Sequence, residues 1–239
     1  MSTLFAASIG LRCIYQRIYQ RSKPASLVRS LATMTSEEKQ IRYDLCVAHA
    51  AFHHFKMDEL VWNHVSARYP KDSWLITPGL KHWDEISPSC IIPSSANVTA
   101  DIIHSSVYSA RPDVNAVVHL HTRNAVAVGC LKEGYEGLTQ DGSYFHDSVA
   151  YHEWEGVSDD PGEGVRIGEN IRKVPGCNIL VMPNHGFCSL GRSVKEAWIQ
   201  AFYFEKACET QMVAFAAGEE APAGVGGRAS EMPAKCLRD

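Results

Sequence analysis

Two histidines in a short apolar run are the first residues in this sequence whose type and spacing could do chemistry. The run is Val117-Val118-His119-Leu120-His121-Thr122. Side chains two positions apart on a β-strand point to the same face, so an extended run would present both imidazoles to one point. A lone His-x-His pair can equally combine a core histidine with a surface histidine, because imidazole is common in both settings. The pair is half of a metal site only if a further ligand joins it.

A second apolar segment could supply that ligand. It covers residues 179–182 and continues as Pro183-Asn184-His185-Gly186, so a predicted strand ends in a histidine followed by a glycine, where the backbone can turn sharply. Three neutral imidazoles with an open coordination position are the usual protein ligands of a catalytic zinc ion, and they also suit iron, nickel or cobalt. We therefore predict a metal site formed by His119, His121 and His185.

These motifs occur together in one known family. They lie in residues 111–121, in the Asn184-His185-Gly186 turn and in residues 191–197. In combination they resemble the class II aldolase/adducin family, over about Glu38 to Ala217. The resemblance implies an α/β protein, a three-layer α/β/α domain with a largely antiparallel central sheet, often assembled as a tetramer with active sites between subunits. It also implies one divalent metal ion per chain on the three histidines, with zinc expected and iron, manganese or cobalt as alternatives.

Length, composition and charge fit a single domain and argue against several classes of protein. A chain of 239 residues with 45% hydrophobic residues can bury a sizeable core. The formal net charge of -4, without basic clusters that contain interleaved aromatic residues, argues against nucleic acid as a partner. No run of about eighteen apolar residues occurs, so no transmembrane helix is expected. The 8 cysteines are scattered without a C-x-x-C pair, which is typical of a reduced intracellular protein.

The two ends of the chain differ in composition from the rest. Residues 1–34 contain arginine and lysine but no acidic residue, and Leu11, Ile14 and Ile18 follow a helical spacing. This pattern is typical of a mitochondrial transit peptide and predicts a matrix location, while a disordered extension would leave the protein cytoplasmic. Residues 35–217 then form the domain. Residues 218–239 are dominated by Gly, Ala, Pro and Glu without periodicity, which predicts a flexible tail.

Helices and strands must position these motifs. Thr35 and Ser36 precede Glu38, a capping pattern that predicts a first helix to about Phe55. Ser193 with Glu196 predicts the start of a long helix to about Ala217, with a wide apolar stripe facing the core. The other predicted elements are strands at 61–68 and 74–79 and helices at 98–110, 124–131 and 165–172.

The predicted hairpin of 61–68 and 74–79 borders the active site in the family, which makes His64, Ser66 and Thr77 candidate substrate-binding residues. The family's sugar-phosphate aldolases hold the substrate phosphate with an asparagine where this sequence has His64. They also use a Thr-Pro-x-Gly turn, shortened here to Thr77-Pro78-Gly79. Phosphate recognition is therefore not expected. Residues 86–97 are also shorter than the family pattern, through loss of an edge hairpin or a skipped exon.

The resemblance fails at one catalytic position. The sugar-phosphate aldolases use a glutamate near the start of the 98–110 helix as metal ligand and general base, and the matching residue here is Ala100. Asp101 is a candidate replacement, although one residue along a helix is a rotation of about 100°. Tyr144 and Tyr151 are further candidate acids or hydrogen-bond donors, although loop tyrosines often pack through the ring with the hydroxyl in water.

Three functions fit this pattern. The first is a divalent-metal-dependent lyase that cleaves a carbon–carbon bond of a small oxygenated substrate, by decarboxylation or aldol-type cleavage through a metal-stabilised enediolate. The missing glutamate favours decarboxylation, which needs mainly an electron sink. The second is a non-catalytic adducin-like association protein, with actin as a partner. The third is a non-haem iron oxygenase, because three histidines also suit Fe(II).

Overall fold

The fold is organised around one seven-stranded sheet. The computed structural model describes residues 34–60, 62–70, 73–79, 81–93, 98–156 and 160–218. The strands within these residues are β1 (His64–Arg68), β2 (Trp74–Ile76), β3 (Ile92–Pro93), β4 (Ala116–Leu120), β5 (Val149–Tyr151), β6 (Ile179–Met182) and β7 (Gly186–Gly191). They lie in the order β3-β2-β1-β4-β7-β6-β5, and all neighbouring pairs are antiparallel except β5 and β6. The predicted largely antiparallel sheet is confirmed.

Helices cover both faces of this sheet. They are α1 (Ser36–His54), α2 (Val98–Ala110), α3 (Arg123–Gly129), α4 (Gln140–Ser143), α5 (Pro161–Arg172) and α6 (Val194–Ala216), with a 3₁₀ turn at Trp83–Glu85. Side chains alternate between the two faces along β4, because successive strand residues point in opposite directions. Val118 and Leu120 join a core with α1, α3 and α6, while Val117 joins a second core with α2 and α5. The predicted three-layer α/β/α architecture is confirmed.

The two strongest capping patterns in the sequence begin helices as predicted. The Thr35 hydroxyl accepts a hydrogen bond from the backbone N–H of Glu38 (3.1 Å), and the Ser193 hydroxyl accepts one from the N–H of Glu196 (3.2 Å). Each bond satisfies one of the donors that a helix start leaves free. α1 ends at His54, and Lys56 then adopts a left-handed φ of 57° that turns the chain toward β1.

Other boundaries differ from the sequence prediction for local reasons. α5 begins at Pro161 rather than at residue 165, because Asp160 caps it by accepting from the N–H of Gly162 (2.9 Å) and proline suits the first helical position. β5 and β7 were not predicted, since each is short or rich in glycine and serine. At the sheet edge, the shortened 86–97 region contributes the two-residue strand β3, which pairs with β2.

The predicted N-terminal extension (1–34) and flexible tail (218–239) lie outside the described residues, apart from Met34 and Gly218. The transit peptide, the mitochondrial location and the mobility of the tail therefore stay predictions. Within the described residues, every helix is too short or too polar to cross a membrane.

Candidate metal centre

The central strand β4 carries His119 in the interior of the sheet. His119 is 1% exposed and lies in register with His64 of β1 on one side and Cys188 of β7 on the other. The rings of His64 and His119 stack, with centroids 4.7 Å apart and an interplanar angle of 23°. The position of His119 is therefore fixed by the register of three strands.

His121 and His185 reach the same point from the ends of two connections. His121 follows the last residue of β4, and His185 lies in the loop between β6 and β7. Asn184 in this loop has a left-handed φ of 61°, and the N–H of His185 donates to the carbonyl of Met182 (3.0 Å). A Cβ at Gly186 would lie 2.5 Å from the carbonyl oxygen of Leu120 and 2.7 Å from Cδ2 of His121. Glycine is therefore required for the loop to approach β4 so closely.

The three histidines converge as the sequence predicted. One nitrogen from each of His119, His121 and His185 lies within 4.8 Å of the others. The Nε2 atoms of His119 and His121 are 2.8 Å apart. Two nitrogens bound to one tetrahedral zinc ion at 2.0–2.1 Å would be about 3.3 Å apart, so a small adjustment of the rings suffices. The arrangement fits a divalent metal ion held by three imidazoles.

The electrostatics of the cluster favour neutral imidazoles, which is the form that binds metal. Burial holds the pKa of His119 well below its usual range, and the neighbouring histidines add to this effect. Burial also lowers the pKa of His121, against the opposing influence of Glu59. Burial, with His121 as a second cause, lowers the pKa of His185 to about 4. Near neutral pH the three rings would therefore be uncharged.

Two residues that the sequence analysis missed contact the outer nitrogens of the ligand rings. Oε2 of Glu59 lies 2.9 Å from Nδ1 of His121, and Sγ of Cys188 lies 3.4 Å from Nδ1 of His119. Glu59 belongs to the connection between α1 and β1, 62 residues before His121 in the sequence. No sequence periodicity links the two positions.

The candidate substrate-binding residues of β1 form a buried hydrogen-bonded chain behind the centre. Nδ1 of His64 lies 2.6 Å from Nε2 of His104, and the hydroxyl of Ser66 bridges Nδ1 of His104 and the hydroxyl of Tyr108, 2.8 Å away. Ser66 is 0% exposed, so it supports His104 rather than facing a substrate. Burial lowers the pKa of His104 to about 3. Among these hydrogen-bonded side chains, His64 is the one next to the centre, because its ring stacks on that of His119.

Two other candidate site residues, Thr77 and Asp101, make their contacts away from the three histidines. The buried hydroxyl of Thr77 bonds to the backbone N–H of Val65 (3.1 Å) and so secures β1. Asp101 lies beside Trp74, and burial raises the pKa of its carboxyl. Within one chain, Thr77 and Asp101 are therefore not brought to the three histidines.

Within one chain, contacts of the two candidate tyrosines are to residues other than the three histidines. The ring of Tyr144 packs against Phe145, with centroids 5.1 Å apart. The hydroxyl of Tyr151 accepts a hydrogen bond from the backbone N–H of Tyr135 (2.8 Å). In one chain, Tyr144 thus contacts an aromatic neighbour and Tyr151 contacts the backbone of Tyr135, and neither is among the residues that line the cleft beside the histidines.

A cleft opens beside His121 and His185. Its volume is about 870 Å³, and its walls come from the α1–β1 connection, the start of α3 and the outer side of α6. The charged residues that line it are Lys56, Asp58, Glu59, Arg123, Glu205, Lys206 and Glu209. A cleft of this size can hold a small molecule next to the histidines.

Comparison with known proteins identifies the class that this fold and site define. The family model for the class II aldolase and adducin N-terminal domain matches residues 43–212. The chain belongs to this family.

Its relatives include both bacterial and animal proteins. A Pseudomonas aeruginosa protein with the provisional name aldolase class 2 protein is 31% identical over 202 residues, covering 79% of this chain and 77% of the relative. Mouse alpha-adducin is 30% identical over 193 residues, which are 73% of this chain but only 26% of adducin. A crystal structure of an aldolase II superfamily protein from Pseudomonas syringae has a TM-score of 0.77 and 27% identity, covering 85% of this chain and 87% of that protein.

Proposed function

We propose that this protein is a divalent-metal-dependent lyase that cleaves a carbon–carbon bond in a small oxygenated substrate. The observation that carries the proposal is the convergence of His119, His121 and His185 beside an open cleft. Class II aldolases use a divalent metal, typically zinc, and act on small substrates. A bound divalent ion would polarise a substrate carbonyl and stabilise the negative charge that develops as the bond breaks.

The chain's own residues would hold the ion, orient its ligands and close one side of the site. His119 is buried and held between β1 and β7, so its side of the centre is closed. His121 and His185 border the cleft, so a bound ion would be reached from that side. A substrate would therefore approach the three imidazoles from the cleft.

Decarboxylation fits the residues better than aldol cleavage. Aldol cleavage requires a base for the substrate hydroxyl, and the residue at the family's glutamate position, Ala100, is a fully buried alanine. Asp101 lies beside Trp74 instead. Decarboxylation of a 3-keto acid needs mainly an electron sink, which a metal ion supplies.

An adducin-like association protein is the second candidate, and the observation that favours it is the same alanine together with the 30% identity to mouse alpha-adducin. This alternative gives no reason to keep three converging imidazoles. The metal content of the purified protein distinguishes these two functions, because only the lyase requires a bound divalent ion. Oxygen uptake would separate a lyase from a non-haem iron oxygenase on the same ligands.

The test combines metal analysis with an activity panel. The purified protein should contain roughly one divalent ion per chain, and His119→Ala or His185→Ala should lose it, because two ligands hold an ion far more weakly than three. His146→Ala, which removes a histidine outside the triad with a side chain 39% exposed, is the matched control and should keep the metal. Stoichiometric metal in the ligand variants would overturn the assignment.

Activity is then measured with zinc, manganese, cobalt or iron on 3-keto acids, free aldols and sugar phosphates. Cleavage of 3-keto acids that disappears in His119→Ala is the expected result. Sugar-phosphate aldols should react poorly, since general-base assistance is worth about 10²–10⁴-fold in rate. Ala100→Glu should raise aldol cleavage if the missing carboxylate is the cause. No cleavage by any metal form, with metal bound, would favour the association protein.

A further inference from the structure

The ligand rings have opposite environments at their two nitrogens. The Nε2 atoms of His119 and His121 face each other across 2.8 Å, while their Nδ1 atoms face Cys188 and Glu59 respectively. A carboxylate only accepts hydrogen bonds, so Nδ1 of His121 must carry the proton that bonds to Glu59. The lone pair of His121 is then on Nε2, directed toward the centre. Among the described residues, Glu59 is the carboxylate that bonds to a ring of the triad.

The segment that carries Glu59 forms two hydrogen bonds to His121. The carboxylate of Glu59 bonds to the ring, and the side-chain carbonyl of Asn63 accepts from the backbone N–H of His121 (3.0 Å). Both residues precede β1 and are separated by a tight turn, in which the N–H of Trp62 donates to the carbonyl of Glu59 (3.1 Å). One connection thus fixes both the backbone and the side chain of this ligand.

Backbone strain marks the same turn. Leu60 has a left-handed φ of 44°, a conformation that disfavours a residue with a Cβ. Its side chain is 64% exposed, so burial of that side chain does not compensate the strain. Strained positions of this kind persist where the surrounding contacts over-determine them, and they cluster at functional sites. Contacts that hold this turn include those of Glu59 and Asn63 to His121.

We infer that Glu59 is a positioning residue, whose carboxylate fixes the tautomer and the orientation of the His121 ring so that Nε2 is presented as a ligand. The inference rests on the proposed metal centre and assigns Glu59 no contact with the reacting atoms. Its carboxylate lies on the side of the ring away from Nε2, which makes it a poor candidate for the missing base. Partners of this type are typically worth about 10- to 100-fold in metal affinity.

The chain offers a close control in the adjacent residue. Asp58 borders the same cleft and also bonds to a histidine, with Oδ2 2.9 Å from Nδ1 of His53, which is outside the triad. Asp58→Ala removes the same charge from the same segment without touching His121. A difference between Glu59→Ala and Asp58→Ala therefore reports the bond to the ligand ring rather than the general loss of negative charge near the ion.

The first measurement is the dissociation constant for zinc, by competition with a chromophoric chelator at fixed pH. Glu59→Ala should bind zinc about 10- to 100-fold more weakly than the wild type, Glu59→Gln should lie between them because its amide oxygen still accepts, and Asp58→Ala should change affinity by less than about threefold. Equal affinity in Glu59→Ala and wild type, or an equal loss in Asp58→Ala, would overturn the inference. Thermal melts of the metal-free variants verify that all are folded.

The second measurement needs no metal and separates this inference from the proposed function. Long-range ¹H–¹⁵N NMR spectra of the metal-free protein should show His121 as the Nδ1–H tautomer in the wild type and in Asp58→Ala, and as a mixture in Glu59→Ala. An unchanged tautomer in Glu59→Ala contradicts the positioning role. A wild type that shows the expected tautomers but binds no divalent ion refutes the proposed function and leaves the positioning of the ring by Glu59 supported.

Discussion

His49 shows how much a single buried histidine contributes to the pH dependence of this protein. It lies in α1, is 1% exposed and packs its ring against Trp83, with centroids 3.9 Å apart. Within the described residues neither ring nitrogen has a hydrogen-bond partner. Burial therefore lowers its pKa from 6.5 to about 3, since a charged imidazole would be desolvated without compensation.

The sign of the effect follows from proton binding. Between pH 6.5 and about 3 the unfolded state binds a proton at His49 and the folded state does not, so acid favours unfolding. Stability is greatest above the unfolded pKa and falls by about 1.4 kcal/mol per pH unit below it. Between about pH 8 and pH 5, His49 should lower the free energy of unfolding of the wild type by about 2 kcal/mol. We predict that this part of the pH dependence is absent in His49→Phe.

Urea unfolding at several pH values measures this difference. Phe52→Leu is a suitable control, because Phe52 lies in the same helix, is fully buried and also contacts Trp83 (5.9 Å between centroids). It should lower the stability by a similar amount at every pH. Parallel pH profiles for His49→Phe and the wild type would show that His49 is protonated in the folded protein.

At the scale of single residues, the sequence predicts the candidate metal ligands better than the residues that contact and orient them. His119, His121 and His185 could be found because strand periodicity and a following glycine place them in predictable local geometry. Glu59 and Cys188 could not, because their contacts depend on how a connection and a neighbouring strand pack against β4. Ser66 and Thr77 were placed on the correct strand and turn, but burial of their hydroxyls is a property of the assembled layers.

At the scale of secondary structure elements, α6 stabilises the short helix that follows the His-x-His strand. Glu205 of α6 is 9% exposed, and its carboxylate accepts from the hydroxyl of Thr122 (2.5 Å), the side chain of Asn124 (2.7 Å) and the backbone N–H of Ala125 (3.0 Å). Among these bonds, the one from Ala125, together with a longer one from the backbone N–H of Asn124 (3.4 Å), satisfies two of the first donors of α3 from a distant part of the chain. Because Thr122 is adjacent to His121, the same bonds order the end of β4.

We predict that Glu205→Gln destabilises the protein by about 2–4 kcal/mol, since hydrogen bonds to a charged group are worth about 1.5–3 kcal/mol each and the amide replaces them only in part. Glu209→Gln, one turn further along α6, is the control. Its carboxylate is about half exposed and pairs with Lys206 (2.7 Å), so its loss should change stability by less than about 0.5 kcal/mol. Chemical denaturation measures both. Equal effects of the two substitutions would contradict the capping role of Glu205.

Element prediction succeeded where caps and periodicity agree, as at α1 and α6. It failed for β7, whose Gly186, Ser189 and Gly191 read as a loop. This strand is buried on both faces and pairs on both sides, so its stability comes from neighbours rather than from intrinsic strand propensity. Gly191 in particular leaves room for α6, because a Cβ there would lie 2.4 Å from the backbone nitrogen of Ala197.

At the scale of the whole molecule, we predict a homotetramer. Class II aldolases are often homotetramers. Large apolar side chains are exposed near the cleft of a single chain, with Trp62 at 65%, Leu60 at 64% and Trp154 at 50%. Trp154 also lies against His185, with ring centroids 5.8 Å apart. Light scattering at micromolar concentration should give the mass of four chains, and Trp62→Glu should reduce it. A monomeric wild type would contradict the prediction.

The dependence of the three ligands on distant strands has a further consequence for folding. His119 lies in β4 and His121 directly follows it, whereas His185 reaches them only when β7 has paired with both β4 and β6. An unfolded chain, which lacks these strand pairings, presents all three imidazoles to one ion far less readily. A bound ion would therefore select the folded state, adding about 2.7 kcal/mol when its free concentration is a hundred times its dissociation constant. Hydrogen exchange in β4 and β7 would then be slowed together, since neither strand could separate from the other without releasing the ion.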